Sequence, residues 1–465
     1  LAFSPNDPLA TRQWYLGQIN AFDFWPQLPS LPGTKVAVID SGIDGNHPDL
    51  DGRVAAARTF VGGSPFRDGQ GHGTFVAGEI AAATGNGTGI AGIAFPAQLL
   101  VAKVVRSDRT IPLQAEASGI RWAVDHGARV INLSLAGLRD PLTPNRDTYS
   151  PLEAAAIRYA DRHGVIVVAA VGNSDAAPRS PWNFAGYPAA LPHVIGVSAL
   201  EQNGSVAAFS NRDAFYNDIS APGADIFSTL PMQMTRLARP NCPFQGYSDC
   251  GPYEFRRAEG TSFAAPMVSA AAALVLSIRP SLAPDQVESI VERSAADVNT
   301  STGCKSCLVG RDRLSGWGRL DVAEAVRIAS TGPFARADTR EPNDNAGSQA
   351  FTIWSRAPGK FQATLDFWDD RIDVYKIRLH RGQRLYVKLS GPTGENSSLS
   401  LWPPGTDRVD DLSPAAQRKR VAQSRRPGSV ERIRGYRAPK GGWYYVEVKM
   451  DSKGVGPYSL SYSKR

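Results

Sequence analysis

Between residue 34 and about residue 330, short continuous apolar runs alternate with stretches of helical periodicity, the pattern of successive βαβ units around a parallel sheet. The runs at 35–39, 99–105, 130–135, 165–171 and 194–199 are rich in β-branched residues, as strands covered on both faces should be. Stretches 73–83, 113–126 and 150–163 predict helices, and Gly127 and Gly164 stand where the latter two should stop. The Ala-rich stretch 262–278, followed by Pro280, predicts another. Together these give a doubly wound, mostly parallel α/β domain, whose reactive groups are expected at the C-terminal ends of its strands.

After Ala329 the period changes. Ser330-Thr331-Gly332-Pro333 reads as a turn, and two-residue alternation follows: Tyr375, Ile377 and Leu379 on one face, Lys376 and Arg378 on the other. Leu385, Val387 and Leu389 repeat the pattern, as do Tyr444, Val446, Val448 and Met450, then Tyr458, Leu460 and Tyr462. The reading is a large domain over 1–330, a linker over 331–340 and an antiparallel β-sandwich over 341–465. A chain of 465 residues is long enough for two cores.

Composition narrows the class. The chain is 42% hydrophobic and 20% charged, and no apolar run reaches the roughly 20 residues of a membrane span. It starts at Leu1, with no basic segment and apolar core before it, which suggests a processed, secreted form. The net charge of +7 is uneven: residues 331–465 hold 24 Lys and Arg against 14 Asp and Glu, a net +10, so the remainder is −3. Only the C-terminal part asks for an anionic surface or matrix. It contains no recognisable nucleic-acid-binding module. Cys242, Cys250, Cys304 and Cys307 form two close pairs in polar stretches. Three pairings are open; structural disulfides are favoured over redox or metal chemistry because no second ligand pair accompanies Cys304-Lys305-Ser306-Cys307.

Three segments carry chemistry. VAVIDSGID puts Asp40 where the first apolar run meets a turn, GHGTFVAG holds His72 between glycines at a helix start, and GTSFAAP presents Ser262 at the start of the Ala-rich helix. Separately they read as a turn aspartate, a surface histidine and an N-cap serine. Together they supply the nucleophile, the base and the carboxylate that fixes the base's tautomer. A zinc peptidase is set aside because the six histidines show no HExxH spacing. A binding protein on the same scaffold would be expected to lack one of these residues.

These segments resemble the active-site signatures of the subtilisin-like serine proteases, over about residues 1–330. The resemblance implies an endopeptidase acting on proteins and peptides through Asp40, His72 and Ser262, with Asn173 of VVAAVGN in the oxyanion hole. It implies that Ser134-Leu135-Ala136-Gly137 pairs with substrate backbone and that Gly186 floors the main specificity pocket. Ala136 replaces a usual glycine, Phe75 replaces a frequent second histidine, and segment 231–258 is long and lies just before the nucleophile. SPNDPLATRQW, HPDL and TGNGTGIAG resemble a structural calcium site, with Asp7, Asp49 and Asn86 as side-chain ligands and Thr84, Thr88 and Ile90 as carbonyl ligands. No catalytic metal and a monomer are implied. EPNDN, DDRIDVYKIRL, GQRLYVKL and GWYYVEV resemble the bacterial pre-peptidase C-terminal domain. In some such modules the residues at Glu341, Asp344, Asp370 and Asp373 would also hold calcium.

Overall fold

The structure is a computed structural model that describes residues 2–332, 340, 343, 345–347, 349–353, 358–367, 371–409, 417–452 and 454–465. The chain divides into two compact units, Leu1–Gly332 and Pro333–Arg465.

The first unit is built on seven parallel strands: β1 (Lys35–Asp40), β2 (Val54–Thr59), β3 (Gln98–Lys103), β4 (Val130–Leu133), β5 (Ile166–Ala170), β6 (Val194–Leu200) and β7 (Ile219–Pro222). Their order is β2-β3-β1-β4-β5-β6-β7. From β1 the chain passes to the edge strand β2, returns to β3 between the two, then crosses to β4 on the other side of β1 and continues that way to β7. That reversal opens a crevice beyond the C-terminal ends of the central strands, where an α/β sheet receives its ligand. Strands β4 to β7 are buried throughout, which is why β4, β5 and β6 read as largely apolar runs.

Helices cover both faces: α1 (Trp14–Gln18), α2 (His72–Ala81), α3 (Leu113–Asp125), α4 (Pro151–Arg162), α5 (Met232–Ala238), α6 (Tyr253–Arg256), α7 (Thr261–Ile278), α8 (Pro284–Ser294) and α9 (Val322–Thr331). Gly127 and Gly164 do terminate α3 and α4, with φ of 80° and 72°. Helix α7 is long and apolar enough to cross a membrane, but 89% of it is buried inside this unit. It lies under β4, β5 and β6 and against α2 and α9. Ser330 and Thr331 of the anticipated turn belong instead to α9, which continues to Thr331 from an Asp321 cap that accepts the Glu324 N–H at 3.0 Å.

Between α3 and α4, Glu116 and Glu153 are both buried. Burial raises both carboxyls, and repulsion from Glu153 raises Glu116 further. A carboxyl raised in the folded state binds more protons than in the unfolded chain, so it stabilises below the unfolded value near 4.5 and loses that contribution as pH rises. Glu116→Gln should therefore flatten the fall in Tm above about pH 4.5, measured by calorimetry on inhibited protein. Parallel slopes for parent and variant would count against a raised Glu116 carboxyl. Glu79, buried on α2 and likewise raised by burial, keeps part of the slope in both.

The second unit holds two sheets. The first has the order β13-β12-β15-β10-β8 and the second β14-β11-β16-β9. The strands are β8 (Phe351–Ile353), β9 (Gly359–Asp366), β10 (Ile372–Leu379), β11 (Arg384–Ser390), β12 (Ser397–Trp402), β13 (Ala422–Ser424), β14 (Val430–Arg437), β15 (Gly442–Met450) and β16 (Val455–Lys464). All neighbours pair antiparallel except β8 with β10. The sheets meet through aromatics: Phe361 lies 4.9 Å from Tyr375, and Tyr436 lies 5.8 Å from Tyr444.

Candidate active site

Asp40 is the last residue of β1, and the segments leaving β4 and β5 carry Ser134–Gly137 and Asn173. All three therefore emerge at the same end of adjacent strands. His72 opens α2, capped by Gly71 in the left-handed region with φ of 86°. Gly73 lets that helix approach: a Cβ there would come within 2.2 Å of the Gly42 carbonyl oxygen and 3.2 Å of Asp40 Cβ.

His72 Nδ1 lies 2.9 Å from each Asp40 carboxylate oxygen, and Asp40 is 3% exposed. Burial disfavours the imidazolium, but the Asp40 charge and hydrogen bond, with Asp68 behind them, outweigh it and raise His72 above 6.5. Asp68 builds this corner. Its Oδ1 accepts from Ser41 Oγ and the Gly71 N–H at 2.9 and 2.8 Å, and its Oδ2 accepts from the Thr74 N–H and hydroxyl at 2.9 and 2.8 Å. The Ser41 hydroxyl in turn accepts the Gly73 N–H at 2.9 Å. One buried carboxylate thus fixes the first turn of α2, and with it the imidazole.

Ser262 is the second residue of α7, after Gly260. Its carbonyl accepts from Ser134 Oγ at 2.6 Å, which ties the helix start to the segment leaving β4. Phe263, the next residue, packs on His72 with ring centroids 5.4 Å apart, and Phe75 lies 4.6 Å beyond it. Phe75 is fully buried; it and Phe255, at 5.8 Å, continue the aromatic row away from the site. Asn173 Oδ1 accepts from the Thr261 N–H and hydroxyl, both at 3.0 Å. That fixes the amide's orientation and leaves Nδ2 on the other side, beside Gly260.

Residues 134–136 lie beyond the end of β4, and Gly137 exchanges two backbone hydrogen bonds with Tyr187, at 2.7 and 3.0 Å. Gly186 is packed so closely that a Cβ would lie 2.5 Å from the Gly137 carbonyl oxygen. The Ala136 methyl faces both Gly172 and Gly186, 3.2 Å from where either would carry a Cβ.

Away from this crevice, Asp7 accepts the Gly85 and Asn86 N–H groups at 2.7 and 3.0 Å, and Asn86 Oδ1 accepts the Thr88 N–H at 2.8 Å. Asp49 Oδ2 accepts from the Ile90 N–H and the Tyr247 hydroxyl, both at 2.9 Å. Among the described residues its Oδ1 is buried without a hydrogen-bond partner. Burial, with the charge of Asp7 adding to it, pushes Asp49 up to about 6 despite those hydrogen bonds. Thr84 bonds Gly92 through its hydroxyl at 2.7 Å, holding the two ends of the 84–92 loop together. A buried carboxylate oxygen without a hydrogen-bond partner, within the field of a second carboxylate, fits a calcium ion. Tyr247 belongs to the 231–258 segment, which thus folds back onto Asp49.

Disulfides join Cys242 to Cys250 and Cys304 to Cys307. In the second unit, Asp373 is fully buried and accepts a hydrogen bond from the Tyr458 hydroxyl. Glu341, Asp344 and Asp370 lie outside the described residues. Sequence reasoning passed over Asp68 and Thr261. Thr261 lies inside a quoted motif, but Asp68 sits in an unremarkable turn and only its five hydrogen bonds reveal it.

A buried carboxylate on an imidazole, a serine at a helix start and an oriented amide, gathered at the switch point of a parallel sheet, place the protein among the serine hydrolases. Residues 32–318, more than half of the chain, match the subtilase family, and the chain belongs to it: it is a subtilisin-like serine endopeptidase. It is 38% identical to thermitase of Thermoactinomyces vulgaris over 232 residues, which is 49% of this chain and 77% of thermitase. It is 36% identical to subtilisin DY of Bacillus licheniformis over 268 residues, 57% of this chain and 85% of that one. Identity to fervidolysin of Fervidobacterium pennivorans is 33% over 340 residues, 68% of this chain and 44% of fervidolysin.

Proposed function

We propose that Ser262 is the acylated nucleophile, His72 its base and Asp40 the group that orients the base. The observation that carries this is the His72–Asp40 pair, held at 2.9 Å to both oxygens beside the start of the serine's helix. With Nδ1–H donated to Asp40, Nε2 is left to take the Ser262 proton as Oγ attacks the peptide carbonyl carbon. The oxyanion receives Asn173 Nδ2 and the Ser262 N–H, the latter at the start of a helix whose dipole favours negative charge. His72 then protonates the leaving amine, and water repeats the sequence on the acyl-enzyme. Because His72 works as a base only when neutral, activity should rise as pH passes through a value above 6.5.

Segment 134–137 is positioned to pair with extended substrate, and Ala136, Gly137 and Gly186 border the side-chain pocket, where the Ala136 methyl favours slimmer residues. Calcium at Asp7, Asp49 and Asn86, with the carbonyls of Thr84, Thr88 and Ile90, would cross-link the N-terminus to the 84–90 loop. Two disulfides support action outside the cell. The second unit is an accessory module of the pre-peptidase C-terminal type, and its charge supports a role in holding the enzyme on an anionic surface.

Asn173→Ala should lower kcat by about 10²–10³-fold with KM nearly unchanged, a range carried over from the corresponding asparagine of subtilisin. A change confined to KM in steady-state assays with a chromogenic peptide would remove Asn173 from the oxyanion hole.

A further inference from the structure

The four-stranded sheet of the second unit has one buried and one outward face. Leu385, Val387 and Leu389 of β11, with Leu460 of β16 and Ile433 of β14, are buried. The alternating positions therefore point away from the core. Lys388 stands opposite Arg432 on one side and Ser461 on the other, and Ser461 stands opposite Lys360. Arg432, Lys388, Ser461 and Lys360 thus form one row across all four strands, and Arg434 and Tyr386 extend it along the sheet. The three cations of the row are exposed, and among the described residues none of them is in an ion pair. The four strands contain two acidic residues, Asp366 and Glu431, and both are buried. Among the described residues of these strands, no acidic side chain on the outward face offsets the charge.

This face is also concave. A cavity of about 540 Å³ opens among Lys360, Lys388, Arg432, Arg434, Tyr386 and Ser461. Tyr386 lies across Gly435, where a Cβ would come within 3.0 Å of its hydroxyl. The Arg465 guanidinium sits 5.3 Å from the ring centroid.

We propose that this face binds a linear polysaccharide that bears a carboxylate or sulfate on its repeating unit. Arg432 and Lys388 stand on adjacent strands about 5 Å apart, Lys388 and Lys360 lie two strands apart at about 10 Å, and Arg432 and Arg434 are about 7 Å apart along β14, a spread of charge that a polymer with repeated anions can follow. Arginine forks match planar or tetrahedral oxyanions, and serine hydroxyls between the cations can bond sugar hydroxyls. One tyrosine offers a stacking surface for a pyranose ring, whereas single-stranded nucleic acid calls for successive aromatic platforms. A lipid surface calls for apolar side chains to insert, and the row contains none.

The proposal rests on the targeting role of the second unit and is tested so that the two can fail separately. The full chain carrying Ser262→Ala would be titrated with polygalacturonate, with neutral dextran, with single-stranded DNA and with phosphatidylserine vesicles, at low and high salt. One triple variant, Lys360→Gln, Lys388→Gln and Arg432→Gln, removes the row. A second, Arg418→Gln, Lys419→Gln and Lys440→Gln, removes three equally exposed charges elsewhere in the same unit. The row variant should bind polygalacturonate at least tenfold more weakly and the control variant less than twofold, with Tm unchanged in both and no binding to dextran. In the active background both should cleave a short peptide like the parent. Equal losses in the two variants, or tighter binding of DNA or vesicles than of polygalacturonate, would overturn the assignment of the face while leaving targeting in place. No binding of the parent to any of the anionic probes would overturn both.

Discussion

Ser262→Ala should reduce turnover of a peptide substrate by about a million-fold, and His72→Ala should cost nearly as much. The size of the effect is taken from subtilisin, where the corresponding losses were measured; the geometry of the present protein supplies the reason. The hydroxyl, the imidazole and the Asp40 carboxylate act in one proton transfer, so removing one disables the others. The double variant should therefore be barely slower than either single one. A fluorophosphonate should label Ser262 alone and should fail on His72→Ala at the same rate. Residual activity of Ser262→Ala within a hundredfold of the parent, or label recovered on another serine, would refute the mechanism.

Excess chelator should lower the Tm of the Ser262→Ala protein by roughly 8 °C, because an ion held at a thousand times its Kd stabilises the fold by about 4 kcal/mol. Using the inactive variant separates unfolding from self-digestion. Asp49→Asn should melt near the chelated value and respond little to added calcium. Without the ion, the buried Asp49 carboxyl near 6 makes the fold less stable as pH rises toward and through that value. Added calcium should remove that decline. A Tm indifferent to chelator would show that the Asp7–Asp49 corner is held by its hydrogen bonds alone.

The catalytic residues were legible because each lies inside a short motif whose glycines mark a close approach, as Gly73 does against Asp40. The five apolar runs became strands for a similar reason: burial on both faces keeps them almost wholly apolar, with Asn132 and Ser198 as buried exceptions. Strand β2 escaped notice because its VAAART sequence lies at the sheet edge, partly exposed, and alternates with neither period. Strand β7 is four residues ending in Pro222. Helix α8 has its cap written in the chain, with Pro284 at its start and Gln286 reaching back to the Ala283 N–H at 3.1 Å. In the second unit the clearly alternating runs were readable. Strand β12, Ser397–Trp402, was not, since its serines are buried and erase the contrast between faces.

What a linear sequence cannot display is convergence. Asp68 is joined to residues before and after it in the chain, and Tyr247 reaches back 198 positions to Asp49. Nothing in the residues around either one foretells that partner.

Helix α7 gives the enzyme a particular kind of durability. The nucleophile sits, half-buried, at the first turn of a helix that is otherwise almost wholly interior and that touches most of the sheet. A protease in solution is surrounded by copies of itself, and its own exposed segments, such as Leu308–Val309 at 69% and 84% exposure, are competing substrates. A nick in such a segment should leave α7 rooted, so activity is expected to outlast the intact chain as cuts accumulate. Activity ends only when the core opens, and the molecule then becomes food for its neighbours.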